Sequence, residues 1–392
     1  MQTVFRFFLG LLLASTALAD QYIGEVLVQG DTQTIPITVV SSSPELHSLA
    51  LAAFNVHGRY RLVANGAYTI SFAPAGPSQV TVTITKGSAG TPVASETVAG
   101  TSLRNALLRA ADVAVKATSG LHGFFSGRLA FVSDHYGGQK ILTSDLFFGE
   151  MQTYPVQGQQ IVGPRWAPDG SKILFTSYRS GFPDIYVLDL HSRQMSIFAS
   201  FKGTNSGAHF SPEGSRVAMI LSGEGNPEIY VANAQGRQIR RLTNNQSIEA
   251  SPAWSPDGSR LVFTSDAAGG PQLFVMSVAG GGMTRLNTNV SRYCAEPDWS
   301  VADPTKIVFT AGVGRGYQIA VYDFGGGAAK IASKAPMDAI EPVWLADGRH
   351  VVCTFRTATS RALYIVDTES GKSTRLSPSS LGNAWNASYI PR

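Results

Sequence analysis

One phrase centred on tryptophan returns along this chain at nearly constant spacing. It reads Gly163-Pro164-Arg165-Trp166-Ala167-Pro168-Asp169-Gly170, and again Ser251-Pro252-Ala253-Trp254-Ser255-Pro256-Asp257-Gly258. Related copies centre on Phe210, Trp299, Trp344 and, in fading form, Trp385, so the steps between the six anchors are 44, 44, 45, 45 and 41 residues. A repeat of this length with strand-like content predicts a β-propeller of four-stranded blades.

Each phrase is followed by an apolar run, as in Lys172–Ser177 and Arg260–Ser265. After a variable loop comes a third run, as in Asp184–Asp189 and Gln272–Met276. A shorter, more polar segment such as Ser373–Leu376 ends the repeat. The middle runs are apolar on both faces because neighbouring blades cover both. Arg and Thr in the last segment suit an outer edge that must not pair with another chain. The Pro-Asp-Gly steps supply turn chemistry, with proline setting φ and glycine free to take the left-handed position.

The register also predicts how the ring closes. Arg128–Ser133 and Lys140–Ser144 look like second and third strands with no anchor phrase before them. Trp385 stands near the C-terminus with no blade after it. The expectation is a ring of six blades in which the C-terminal strand completes the first, a closure that removes an open edge.

Three segments follow. Residues 1–19 have a lone Arg6, an apolar stretch and Ala17-Leu18-Ala19, the pattern of an export signal cleaved before Asp20. Residues 20–123 predict a small α/β domain. One helix is capped by Ser43 with Pro44 in its first turn and carries Leu46, Leu49, Ala50, Ala53 and Phe54 as its stripe. A second runs from about Ser102 to Thr118 and stops at Gly120. Strands are expected near 34–40, 67–73 and 79–86. Residues 124–392 are the six-bladed propeller.

Several function classes find no support. The +4 charge is spread without runs, so neither a nucleic-acid stripe nor a polybasic membrane patch is indicated, and no segment after residue 19 is apolar enough for direct membrane insertion. No Gly-x-Ser-x-Gly elbow, calcium loop or phosphate cradle is present, and the seven histidines are scattered. We therefore expect no catalytic residues, no metal and no cofactor, and a non-enzyme. Alternatives are a metal-dependent carbohydrate lyase using His209 or His350, and a scaffold holding a small molecule in its central channel. Cys353 occupies the slot of Phe175, Phe263 and Phe309 and reads as a buried small hydrophobe, while Cys294 is expected in the loop ahead of Trp299.

The export signal, the small α/β domain and the six repeats together resemble the TolB family of the Tol-Pal system. The residues that carry the resemblance are Leu103-Arg104-Asn105, the junction from Thr118 to Phe125, and Ser251–Gly258. The resemblance implies a periplasmic monomer without catalytic activity that supports outer-membrane integrity and cell division. It implies that the propeller binds the peptidoglycan-associated lipoprotein Pal, and that the start of the mature chain engages the inner-membrane protein TolA. The matching TolA segment here carries Asp20, Gln21, Tyr22, Ile23, Glu25 and Val26. For Pal, the loops entering the Trp strands carry Asn205, Ser206, Glu249, Ser251, Arg292, Glu296 and Glu341. Exposed loop residues on a rigid scaffold commonly bind partners, although Glu296 and Glu341, each before proline, would equally suit strand caps.

Overall fold

The computed structural model describes residues 34–391 except 136, 155 and 157–159. The expected export signal and Asp20, Gln21, Tyr22, Ile23, Glu25 and Val26 lie outside the described residues.

The N-terminal unit is a five-stranded sheet covered by two helices. In chain order it runs β1 (Ile35–Ser41), α1 (Pro44–Val56), β2 (Tyr60–Leu62), β3 (Tyr68–Gly76), β4 (Gln79–Lys86), β5 (Thr91–Ala99) and α2 (Leu103–Ser119). The sheet order is β2-β1-β3-β4-β5. The Ser43 side chain caps α1, whose expected apolar stripe is buried together with Val56. Ser102 caps α2, and Gly120 ends it at φ 76°. Strands β2 and β5 were not expected. The first is only three residues long, and the second is polar and almost wholly exposed, so neither shows an apolar alternation.

The remaining chain forms the ring. Strands β6 (Arg128–Ser133), β7 (Lys140–Asp145) and β8 (Gln152–Tyr154) are joined at their inner edge by the last strand, β29 (Ala384–Ile390). Between them lie five complete four-stranded blades with inner strands β9 (Ile161–Trp166), β13 (Asn205–Phe210), β17 (Glu249–Trp254), β21 (Cys294–Trp299) and β25 (Asp338–Trp344). This is the expected six-bladed ring, closed by the C-terminal strand.

One detail of the closing strand differs from the expectation. In β25, Trp344 pairs with Val351 of the next strand; in β29 the residue in that position is Tyr389, which pairs with Leu129. Trp385 instead matches Ile340, four residues earlier in the repeat. The last step is therefore 45 residues, from Trp344 to Tyr389, and the repeat does not shorten. The indole at Trp385 made it the more visible aromatic. The Tyr389 hydroxyl donates to the Phe124 carbonyl at 3.0 Å, tying the seam of the ring to the linker ahead of it.

The anchors elsewhere are packing residues. Trp254 is buried, donates its indole N–H to the His209 carbonyl at 2.8 Å and stacks under the Arg216 guanidinium. Cys353 is buried as expected; Cys294 is the first residue of β21, not a loop residue, and both thiols are free.

Candidate functional site

Alternating strand direction gives the ring two faces. The Asp-Gly turns and the turns after each third strand share one face. The variable loops and the connections between blades share the other. The N-terminal domain occupies part of the turn face. Arg104 of α2 pairs with Asp145 at the end of β7 at 2.5 Å, Gly58 donates its backbone N–H to His350 Nε2 at 3.0 Å, and Lys372 reaches the Asn55 carbonyl at 2.5 Å. Phe124 and Phe125, just before the ring, are buried in the core that the two domains share. Among these contacts none involves the variable loops, whose face is left open.

The inner strands meet this open face at their first residues. Each carries a β-bulge at the same place. At the bulge stand Gly163, Gly207, Ser251, Glu296, Glu341 and Asn386, with φ of 59°, 63°, 50°, 55°, 57° and 52°. This left-handed backbone favours glycine, yet four blades hold other residues there. Three of those side chains have a common task. Glu296 Oε2 accepts the Glu341 backbone N–H at 2.9 Å, Glu341 Oε2 accepts that of Asn386 at 3.0 Å, and Asn386 Oδ1 accepts that of Gly163 at 3.1 Å. A bulge leaves an N–H outside the ladder, and here the preceding blade satisfies it. Half of the ring is stapled in this way.

These contacts correct where the expected Pal-binding residues lie. Only Arg292 is an exposed loop residue; Ser206 and Ser251 are half-buried on inner strands. Asn205 and Glu249 open β13 and β17 and are shut off from solvent. The Asn205 amide donates to the Phe201 carbonyl at 2.8 Å and to Asp184 at 3.2 Å, fixing the connection between two blades. Glu249 accepts from Asn245 at 3.1 Å and Ser265 at 2.9 Å. Glu296 and Glu341 are the staples just described. Polar residues at these positions point back into the blades, because the strand begins before the exposed loop has ended.

Burial sets the charge of these groups. The Glu249 carboxyl is pushed up to about 7 by desolvation and then by Glu228 beside it. Each of the two keeps one buried oxygen without a hydrogen-bond partner, which a shared proton would satisfy. Glu341 is likewise pushed up to about 7 by burial and then by Glu296. Nearer the turn face, burial and then Arg165 depress His209 to about 3, so its ring stays neutral.

One set of described side chains could hold a metal by residue type: His57, Asp347 and His350, buried between the two domains. Their hydrogen bonds argue against it. The Arg59 N–H points at His57 Nδ1 and the Gly58 N–H at His350 Nε2, so these two nitrogens spend their lone pairs on the backbone. His350 Nδ1 lies 2.6 Å from Asp347. Each imidazole would have to reverse its tautomer, or shed its backbone donor, to bind an ion. His209 is not part of this group, so the two histidines considered for a lyase do not converge.

The open face has features that the sequence reading missed. A cleft of about 460 Å³ lies between the blade of β25 and the closing blade, lined by Asp134, Met337, Arg356, Arg361, Tyr364 and Asn383 among others. A recess of about 130 Å³ beside it also reaches Arg356 and Arg361, with Glu341, Trp385 and Asn386. Elsewhere on this face Phe182 is 71% exposed, Ile248 52% and Phe201 49%. Arg179, Lys202, Arg292 and Arg315 are also exposed in the loops of this face. Exposed loop residues on a rigid scaffold are where partners commonly bind. Among the described residues no helix is long and apolar enough to cross a membrane.

Comparison with known proteins adds a family. A family model described as the TolB beta propeller domain matches residues 115–389. The Tol-Pal system protein TolB of Methylobacillus flagellatus is 36% identical over 104 residues, 26% of this chain and 24% of the relative. That of Roseobacter denitrificans is 38% identical over 102 residues, 25% of this chain and 23% of the relative. The chain thus aligns with about a quarter of the length of these curated relatives. The crystal structure of TolB from Acinetobacter baumannii superposes with a TM-score of 0.81 at 25% identity, covering 93% of this chain and 98% of that one. A chain of a nidogen/laminin complex matches the fold alone, at 14% identity and a TM-score of 0.56, over 67% of this chain and 98% of that one.

Proposed function

The chain belongs to the TolB β-propeller family, and on that premise we propose that it is a periplasmic, non-enzymatic adaptor of a Tol-Pal system. Its open propeller face binds a Pal-like peptidoglycan-associated lipoprotein. Its segment from Asp20 to Val26 contacts a TolA-like inner-membrane protein. Joining the two supports outer-membrane integrity and cell division.

The observation that carries this reading is the division of labour between the two faces. Part of the uniform turn face is taken by the chain's own N-terminal domain. The face left open holds the varied loops, the cleft beside Arg356 and Arg361, and the exposed Phe182 and Phe201. A hot spot on such a face would combine an aromatic anchor with an arginine. Arg292, Ser206 and Ser251 remain the best placed of the residues first considered; Asn205, Glu249, Glu296 and Glu341 act by holding the loops and seams beneath them.

The test is calorimetric titration of the mature chain with the cognate Pal domain. Binding in the range of specific protein complexes, weakened by changes on the open face, supports the proposal. Undetectable binding by the intact chain would sink the Pal assignment.

A further inference from the structure

The contact between the domains contains two buried imidazoles. His57 follows α1 and His350 begins the second strand of the blade of β25; both are shut off from solvent. Their rings stand edge to face with centroids 4.4 Å apart. His57 Nδ1 accepts the Arg59 N–H at 3.2 Å, and His350 Nε2 accepts the Gly58 N–H at 3.0 Å. A ring nitrogen that accepts a backbone N–H carries no proton, so both rings are neutral, with the proton on Nε2 of His57 and Nδ1 of His350. The second proton faces Asp347 at 2.6 Å; the first has no partner among the described residues.

We propose that this histidine pair is an acid-sensitive latch between the domains: protonating His350 at Nε2 sets a donor against the Gly58 N–H that crosses the contact, protonating His57 puts a charge inside that contact against His350 and Phe124, and either event loosens the N-terminal domain from the ring. The pair lies away from the open face, so the latch does not depend on which partner that face takes.

The surrounding charges fix the sign. Burial holds His57 well below the ordinary histidine value of 6.5; His350 and Arg349 act in the same direction, while Asp347 and Asp367 oppose them. Arg349 is itself held by Asp367 and Glu369, each at 2.7 Å. From the other elements, Tyr60 of β2 and Tyr389 of β29 lie close by as neutral hydroxyls, and Lys372 is engaged with the Asn55 carbonyl. A histidine depressed in the docked state binds its proton more tightly once released. Its contribution to docking is complete above about pH 6.5 and is lost as the pH falls below that value. Asp112 of α2, which accepts the Phe125 and Ser126 N–H groups, works the other way. Burial raises it to about 6, so the docked form takes up that proton more readily and acid favours docking there. Without the histidines, docking should therefore hold or tighten in acid.

Scanning calorimetry of the mature chain between about pH 8 and about pH 5, with small-angle scattering alongside, tests the latch. The comparison is His57→Asn with His350→Gln in one chain, which places an oxygen near each accepting nitrogen and removes both titrations. The wild type is expected to lose its joint unfolding transition and to expand in acid. The double variant should stay joined and compact at least about one pH unit lower. A wild type that stays joined and compact throughout, or a variant that opens at the same pH, would overturn the latch. Should the variant not fold, NMR titration of the wild-type histidine rings decides. Rings that stay neutral until scattering reports opening support the latch; rings that take up protons near pH 6.5 in a compact particle overturn it.

Discussion

Glu341 accepts the backbone N–H of Asn386 at 3.0 Å across the seam where the last complete blade meets the strand that closes the ring. The same oxygen takes the Thr354 hydroxyl at 2.8 Å. Glu341→Ala would leave the Asn386 N–H with only the Thr354 hydroxyl at 3.2 Å and that hydroxyl without its acceptor, at a cost of about 1–3 kcal/mol. Glu341→Gln keeps an oxygen in place and should cost less. Denaturant unfolding at neutral pH, with an unchanged m value, measures both.

The closing strand itself carries more. Residues 384–390 supply the inner strand of the first blade and, through Tyr389, the bond to Phe124. Deleting residues 384–392 opens the ring along β6 and is expected to lower the melting temperature by more than about 10 °C. An unchanged melt would mean that the blade is completed in another way.

The buried carboxyls predict a pH dependence of their own. Glu249 and Glu341 are both raised to about 7, so the folded state holds protons that the unfolded chain has already released. Their contribution is present in full below about 4.5 and declines as the pH rises to about 7. Glu249→Gln and Glu341→Gln should flatten that decline, each gaining stability over wild type at pH 8 relative to pH 5. Equal slopes for variant and wild type would contradict the assignment.

Gly58 offers a local test of the domain contact. A Cβ added there would overlap the Asp367 carboxylate, which is itself held by Arg349. Gly58→Ala is expected to destabilise the docking of the N-terminal domain by about 1–3 kcal/mol while leaving Pal binding at the open face unchanged. Calorimetric unfolding and titration with Pal, run on the same preparation, read the two effects separately.

The strong signals in this sequence were those that repeat. The Trp phrase, the apolar runs and the Pro-Asp-Gly turns were enough for blade number and closure, because every blade satisfies the same packing. What occurs once was harder to see. The match of Tyr389 to the Trp slot was masked by the more conspicuous Trp385. Strand β5 alternates too little to stand out, since its surface is mostly solvent. The bulge shifts the register midway along each inner strand, so the proline after Glu296 and Glu341 allowed a capping role to be read equally with a loop contact, but not that each reaches across to the next blade. Asn205 and Glu249 sit at strand starts, where burial depends on the connection folding back over them. The His57–His350 contact was out of reach: Gly58 and His350 are 292 positions apart, and only the docking of two domains brings them together.

The central claim is that the open face, not the turn face, receives the partner. Calorimetric titration of the cognate Pal domain into wild type and into Phe182→Asp, Phe201→Asp and Arg292→Glu variants tests it most directly. Wild type is expected to bind, and at least one of these exposed-face variants to weaken binding about tenfold or more, with melting temperatures unchanged. Undiminished binding by all three, or binding lost instead through changes on the exposed parts of the turn face, would contradict the account.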